Sequence, residues 1–188
     1  MNGSSRSWFH IFEALAPSFH VVAWDAPSFG ASDVFGDKIE DYVDAAKALM
    51  QAVEIREAIV VGHSMGGVIA TQLAADRECS TAGLVLSSTH LGFGLPASAP
   101  LMARYATRID HIKSEGVDRA YGLERAKRNT PEGTSQVVVR FLAEIASGAR
   151  IEGIRDGGRM SQEADNAKIG PNCLLYTSPS PRDTRDSR

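Results

Sequence analysis

The chain has few of the features that mark disulfide-rich, membrane or nucleic-acid-binding proteins. Its 188 residues include two cysteines, Cys79 and Cys173, which give neither a disulfide framework nor a metal-ligand spacing. No apolar run approaches the ~20 residues that span a bilayer. The net charge of −3 indicates no nucleic-acid surface. We therefore expect a cytoplasmic protein, a reducing compartment being the default for such cysteine usage, with no membrane or nucleic-acid partner.

Histidine is also scarce, and none occurs after His111. The remaining composition, 43% hydrophobic and 23% charged residues, is ordinary for a globular domain. The length is sufficient for one substantial core. Composition alone does not indicate the oligomeric state.

The most informative stretch is residues 62–66, which read GHSMG after an apolar run and before a helix-like segment. Strand, G-x-S-x-G and helix form the nucleophile elbow, a sharp turn that lifts the serine hydroxyl clear of a sheet. The pattern predicts Ser64 as a nucleophile and the Met65 amide, at the helix start, as a donor to an oxyanion. The turn is expected to require glycine at both flanking positions, Gly62 and Gly66, because a side chain at either place would collide where the strand and the helix cross. The alternative is a glycine-rich turn that only packs the helix on the strand.

Two further segments widen this pattern. Residues 21–33, VVAWDAPSFGASD, resemble the D-x-P-G-x-G-x-S-D segment of the α/β-hydrolase fold superfamily, and residues 3–8 resemble the stretch just after that family's oxyanion turn. Together with the elbow, the resemblance covers residues 1–172 and is to the AB hydrolase-1 type with a serine nucleophile. Ser28 departs from it, because the family usually has glycine there, and this implies a locally different or strained loop.

Periodicity along the chain predicts an α/β fold with a parallel sheet, because strands and helices alternate with short connections. A capping box of Asp37 and Glu40 is predicted to open the second helix. The predicted strands are Val21–Trp24, Ile59–Val61 and Ala82–Ser88, and the predicted first helix is Trp8–Ala16.

After Thr89 the pattern contains only helices, predicted at 101–114, 117–128, 135–147 and 151–164. By resemblance, this helical insertion is the cap, or lid, of an incomplete α/β-hydrolase core, although a separate helical domain with no role at the site is the alternative. Residues 1–91 would then be the partial core and residues 92–168 the cap. The side chains predicted to line the pocket, each also explained by simple helix packing, are Phe93, Leu95, Met102, Tyr105, Tyr121 and Phe141.

Both ends depart from the resemblance. The family's first strands and its oxyanion turn are expected to precede Met1. Residues 173–183, CLLYTSPSPRD, resemble the translated read-through of a sequencing-library adapter, although a natural polar tail is the alternative. We therefore expect a chain truncated at both ends, with residues 169–188 forming a non-native or disordered tail.

The acid–base half of the chemistry is not evident. A serine hydroxyl needs a base within hydrogen-bond reach, and the family's chain order is Ser, then Asp or Glu, then His. We therefore expect the catalytic acid and histidine to be absent. His90, just after a strand, is the best candidate base within the chain, and His63 is interpreted as structural. The acids considered are Asp25 and Asp33 in the resembling loop, and Asp156 and Asp165 in cap-like sequence.

The resemblance implies a parent enzyme that hydrolyses an ester, lactone or related carbonyl of a small molecule through a Ser64 acyl-enzyme, without metal or cofactor. This chain itself is expected to be inactive or nearly so, and its exposed sheet edges are expected to make it aggregation-prone. The alternative is a non-catalytic ligand-binding or interaction protein on the same fold. Phosphate binding at the helix start is a weak third option, because the Walker lysine is absent.

Overall fold

The computed structural model describes residues 3–169. The elements, in chain order, are a 3-10 turn Ser5–Trp8, α1 Phe9–Leu15, α2 Ile39–Ala52, β1 Glu57–His63, α3 Met65–Ala75, β2 Ser80–Ser87, α4 Ala103–Glu115, α5 Arg119–Arg128, α6 Gln136–Ala146, α7 Ile151–Glu163 and a 3-10 turn Asn166–Lys168. The predicted tail lies outside the described residues, apart from Ile169. No helix among residues 3–169 is long and apolar enough to cross a membrane.

The sheet is parallel, as the alternating pattern predicts. Strands β1 and β2 pair side by side, with Val61 opposite Val85 and His63 opposite Ser87. Helix α3 connects them and packs on both, which makes a βαβ unit. Because parallel strands end at the same sheet edge, Ser64 and the residues after Ser87 come together there.

The predicted strand Val21–Trp24 is wrong. Its backbone belongs to no strand, and β1 and β2 are the only strands of the described chain. A strand is defined by ladder hydrogen bonds to a neighbour, and no described segment pairs with residues 21–24. Val22 is accordingly 38% exposed.

The start of α2 also differs from the prediction. The helix begins at Ile39, after Lys38 in extended geometry, and the Asp41 carboxylate accepts a hydrogen bond from the Lys38 amide at 2.9 Å. The capping interaction therefore joins Lys38 and Asp41, not Asp37 and Glu40. The acidic residue of such a cap lies three residues after the last non-helical residue, and the helix starts one position later than expected.

Four helices follow β2, within two residues of the predicted bounds. The first three pack mainly with one another and with the start of α7. Helix α7 also contributes Met160 to the cluster that contains Val68 of α3 and Phe29. The last helix of the predicted cap therefore packs directly against the half of the chain that carries the elbow.

Candidate active site at the end of strand β1

Ser64 lies at the turn between β1 and α3, with φ 54° and ψ −122°. A positive φ is uncommon for a residue other than glycine, and such a conformation costs about 1–3 kcal/mol, which the surrounding contacts must offset. The sharp, strained bend expected from the G-x-S-x-G pattern is therefore present.

Three hydrogen bonds hold this bend. The Ser64 amide donates to the Ser87 carbonyl oxygen at 3.0 Å, and the Ser64 carbonyl oxygen accepts from the Gly67 amide at 3.0 Å. The Thr89 hydroxyl donates to the same Ser64 carbonyl oxygen at 2.6 Å. Sequence reasoning did not single out Thr89. The sequence signal that could have identified Thr89 is its position just after β2, at the sheet edge that also carries Ser64.

The glycines around Ser64 have different roles. A Cβ at Gly62 would lie 2.6 Å from the Gly66 carbonyl oxygen and 2.6 Å from the Gly67 Cα, so strand and helix cross closely there. A Cβ at Gly66 would meet no atom within 4 Å, and the collision expected at that position is therefore wrong. The second close approach is at Gly67, where a Cβ would overlap the Thr89 side chain.

Met65 is the first residue of α3, so its amide has no acceptor within the helix. The Ser64 side chain makes no capping hydrogen bond. The positive end of the helix dipole is therefore open at this point. The Met65 side chain packs against α7 at Gly157. A Cβ at Gly157 would lie 2.7 Å from the Met65 sulfur.

The Ser64 hydroxyl has no hydrogen-bond partner among residues 3–169. His90 is the first histidine after β2 in the sequence. Its Nδ1 accepts a hydrogen bond from the Gly92 amide at 3.0 Å. Burial, aided by the charge of Arg104, lowers the pKa of His90 below its ordinary value. The neutral ring then carries its proton on Nε2, which makes that nitrogen a donor and not a base.

None of the other four histidines, all of them among the described residues, contacts the Ser64 hydroxyl. His63 ends β1 with an exposed side chain, and His20 is also exposed. His10 lies on α1, 3.7 Å from the Glu13 carboxylate. His111 stacks on Tyr121, with ring centroids 5.8 Å apart.

The acids considered from sequence organise loops and helices. Asp25 accepts hydrogen bonds from the amides of Ser5 at 2.6 Å and Ala31 at 2.9 Å. Burial raises the pKa of Asp25, but these hydrogen bonds outweigh it and leave the pKa below its ordinary value. Asp33 is exposed, and Asp165 pairs with Lys168.

Asp156 is the one buried acid among those considered, with 3% of its surface exposed. One carboxylate oxygen accepts from the Ser28 hydroxyl at 2.8 Å, and the other accepts from Arg155 at 2.7 Å. Ser28 itself has φ 68° and is fully buried. The departure from glycine therefore gives a strained loop residue, as expected, and in addition a hydrogen bond from that loop to α7.

The residues predicted to line a pocket do not share one environment. Tyr105 and Tyr121 are buried in the cluster that joins α4, α5 and α7, and Met102 packs against it. Phe93 and Leu95 lie on the loop after β2 and are 37% and 38% exposed. Phe141 packs on His10 of α1, with ring centroids 5.5 Å apart. Their role at a pocket stays a prediction.

The described residues also contain two open grooves. The larger, about 520 Å³, lies between residues 22–35 and α2, and the smaller, about 380 Å³, lies between α5 and α6. Neither is lined by Ser64. Among residues 3–169 no group of three or more histidine, cysteine, aspartate or glutamate side chains is placed to hold a metal ion.

Comparison with known proteins agrees with this geometry. An enol-lactonase from Burkholderia xenovorans superposes with a TM-score of 0.76 at 22% identity, covering 93% of this chain and 66% of that one. A pimeloyl-[acyl-carrier protein] methyl ester esterase from Yersinia pestis is 31% identical over 86 residues, 46% of this chain and 32% of that protein. The acetyltransferase component of an acetoin cleaving system from Cupriavidus necator is 35% identical over 94 residues, 49% of this chain and 25% of that protein.

The chain thus spans a third or less of the length of these curated relatives, and less than two thirds of the lactonase chain. The model of the alpha/beta hydrolase family matches residues 1–181. The elbow, the parallel βαβ unit and this match together show that the chain belongs to the alpha/beta hydrolase family.

Proposed function

We propose that Ser64 is the nucleophile of a hydrolase that acts on an ester, a lactone or a related carbonyl compound. The observation that carries the proposal is the Ser64 backbone, held at φ 54° between a parallel strand and the open N-terminus of α3. Esterases and lactonases are among the proteins to which the chain is similar. We carry over their reaction class to this chain and none of their particular substrates.

In this reaction the Ser64 Oγ forms a bond to the carbonyl carbon, and its proton passes to a base. The carbonyl oxygen becomes an oxyanion, which the Met65 amide stabilises from the helix start. The tetrahedral species then expels the alcohol, which takes up a proton, and leaves an acyl group on Ser64. Attack by water on that acyl group releases the acid and restores the hydroxyl.

We propose that the described residues do not supply the base. No histidine among them contacts the Ser64 hydroxyl, and the Nδ1 of His90 is already engaged by the Gly92 amide. Removing a member of a Ser-His-Asp triad leaves a residual acceleration of about 10³–10⁴ over water, from the oxyanion hole and binding. We therefore propose that this chain, taken alone, reacts slowly.

The test uses 4-nitrophenyl acetate and the full chain. We expect release of 4-nitrophenol above the background, within about 10³–10⁴ of the uncatalysed rate, and an acetyl adduct on the peptide that contains Ser64. Ser64→Ala should abolish both. The matched control is Ser88→Ala, because Ser88 also has a positive φ, 46°, and follows a strand at the same sheet edge.

The two parts of the proposal fail separately. Unchanged reaction in Ser64→Ala, or an adduct elsewhere, would remove Ser64 as the nucleophile. Turnover in the range of ordinary enzymes, 1–10³ per second in order of magnitude, would instead show that a base is present within the chain.

A non-catalytic ligand-binding protein on the same fold is the second candidate, and the unpartnered Ser64 hydroxyl favours it. The discriminating measurement is reaction with a fluorophosphonate probe. Saturable binding of an ester without any adduct on Ser64, in a chain that carries the complete family fold, would support binding over catalysis.

A further inference from the structure

An arginine lies between two aromatic rings beside the loop that follows β2. The Arg104 guanidinium carbon is 4.5 Å from the centroid of Phe93 and 4.7 Å from that of Tyr105. Its Nη2 donates to the Tyr105 hydroxyl at 2.7 Å. Stacking on aromatic faces holds a guanidinium in place and leaves its remaining N–H donors available to a ligand.

Two backbone segments near this arginine, at Phe93 and at Met102, are hydrogen-bonded to the end of α7. The Phe93 amide donates to the Ser161 carbonyl oxygen at 3.2 Å. The Met102 amide, just before α4, donates to the side chain of Gln162 at 2.9 Å, and Gln162 is fully buried. The two segments that hold Arg104 therefore have a common support, which limits the entropy lost when a ligand binds.

The same group of side chains reaches the Ser64 turn through a short series of contacts. Phe93 packs on His90 with ring centroids 4.8 Å apart. His90 follows Thr89, whose hydroxyl donates to the Ser64 carbonyl oxygen. Arg104 and Ser64 are thus joined by the loop that leaves the carboxyl edge of the sheet, where ligands of such folds bind.

The charge of Arg104 is not neutralised in the described structure. Its side chain is exposed, and no carboxylate among residues 3–169 lies within 4.0 Å of it. The neutral ring of the nearby His90 adds no negative charge, and it carries its proton on Nε2 because its Nδ1 accepts from Gly92. An exposed guanidinium without a carboxylate partner matches an anionic, planar acceptor, and arginine binds a carboxylate through two parallel hydrogen bonds.

We propose that Arg104, clamped by Phe93 and Tyr105, is a carboxylate-binding subsite for the substrate of Ser64. The preferred substrates are then esters or lactones that carry a second, free carboxylate. This subsite rests on the proposed function, since it selects among compounds that Ser64 attacks.

Binding is tested without turnover by NMR of the arginine Nε–Hε groups of the full chain, titrated with glutarate at constant ionic strength. We expect the Arg104 resonance to shift saturably with glutarate and not with dimethyl glutarate. Arg104→Gln should weaken glutarate binding about fivefold, the factor that corresponds to ~1 kcal/mol for a partly exposed ion pair. The matched control is Arg119→Gln, an exposed arginine at the start of α5, which should leave glutarate binding unchanged.

Selection by the reaction is tested with two activated esters, 4-nitrophenyl butyrate and mono-4-nitrophenyl glutarate. We expect the glutarate ester to acylate the chain about fivefold faster than the neutral ester, and that preference to disappear in Arg104→Gln. Equal rates for the two esters, or a preference that survives in Arg104→Gln, would overturn the subsite while leaving Ser64 as the nucleophile.

The two measurements separate the subsite from the function. If neither ester acylates Ser64 but Arg104 still binds glutarate selectively, the proposed function fails and the carboxylate site stands. If glutarate shifts Arg104 and Arg119 alike, or without saturation, the site itself is refuted.

Discussion

At the scale of single residues, serines occupy three of the four non-glycine positions with a positive φ among the described residues. They are Ser28, Ser64 and Ser88, and the fourth is Glu54. A positive φ brings the Cβ of an L residue too close to a backbone carbonyl oxygen. Such a conformation therefore persists only where the surrounding structure imposes it. At Ser64 the strain accompanies a half-buried turn at a sheet edge, and at Ser28 it accompanies a buried hydrogen bond to α7.

The glycines of the elbow give the first prediction. Gly62→Ala should lower the free energy of unfolding by several kcal/mol, on the order of 3, because its Cβ would press on the backbone of α3. Gly66→Ala, in α3 with open space around it, should be neutral or raise stability by up to ~1 kcal/mol through helix propensity. Urea denaturation of both variants checks this, and equal losses would contradict it.

Ser28 gives the second prediction. Ser28→Ala keeps the strained backbone and removes the donor to Asp156, so we expect a loss of about 1.5–3 kcal/mol, the range for hydrogen bonds to charged groups. Ser28→Gly removes the same donor but relieves about 1 kcal/mol of left-handed strain. Chemical denaturation should therefore rank wild type above Ser28→Gly, and Ser28→Gly above Ser28→Ala. The reverse order of the two variants would contradict the account.

At the scale of elements, the loop between residues 25 and 33 is organised by one carboxylate. Asp25 accepts from the amides of Ser5 and Ala31, and the Ser32 hydroxyl donates to the Asp25 carbonyl oxygen. These contacts form the tight turn in the absence of the glycine that the family usually has at position 28. They also tie the first turn of the described chain to the segment before α2.

The hydrogen bonds at Asp25 predict a pH dependence. Because they lower the folded-state pKa of Asp25 below 3.8, its stabilisation is present above that value and is lost as the pH falls through the lowered pKa. Between pH 5 and pH 3, denaturation should show a smaller loss of stability in Asp25→Asn than in wild type. Asp33→Asn, in the same loop with an exposed carboxylate, should follow wild type. Identical profiles for all three chains would contradict the assignment.

At the scale of the whole molecule, one face of the sheet is uncovered within the described residues. Helix α3 packs on the face that contains Val60 and Gly62. On the opposite face, Ile59, Val61 and Val85 are 54%, 42% and 49% exposed. Parallel sheets are ordinarily covered on both faces, and an exposed apolar sheet surface promotes association.

We therefore predict self-association of the chain through this sheet face. The double variant Val61→Thr with Val85→Thr keeps β-branched side chains and should lower the associated fraction in sedimentation velocity. Val137→Thr with Val138→Thr makes the same chemical change on α6, where the two valines are 76% and 45% exposed. Equal effects of the two double variants would show that the sheet face has no special part in association.

How far the sequence could be interpreted depended on whether the signal was local. The helices after β2 and the strands around the elbow follow from periodicity and turn chemistry, which act over a few residues. The segment 21–24 has the same local signal as a strand, yet it forms none, because a strand also requires a neighbour. The collision expected at Gly66 is absent for a related reason, since the close contact depends on Thr89 from a separate segment, which lies against Gly67.

Short patterns of residue types were enough to predict the strand–turn–helix at Ser64, the family and the helical character of residues 101–164, because each of those properties depends on neighbours along the chain. The folded chain was needed to find that Thr89 holds the turn, that Ser28 donates to Asp156 and that Arg104 stacks beside the loop after β2. Each of those contacts joins side chains from separate elements, and their distances depend on how the elements pack.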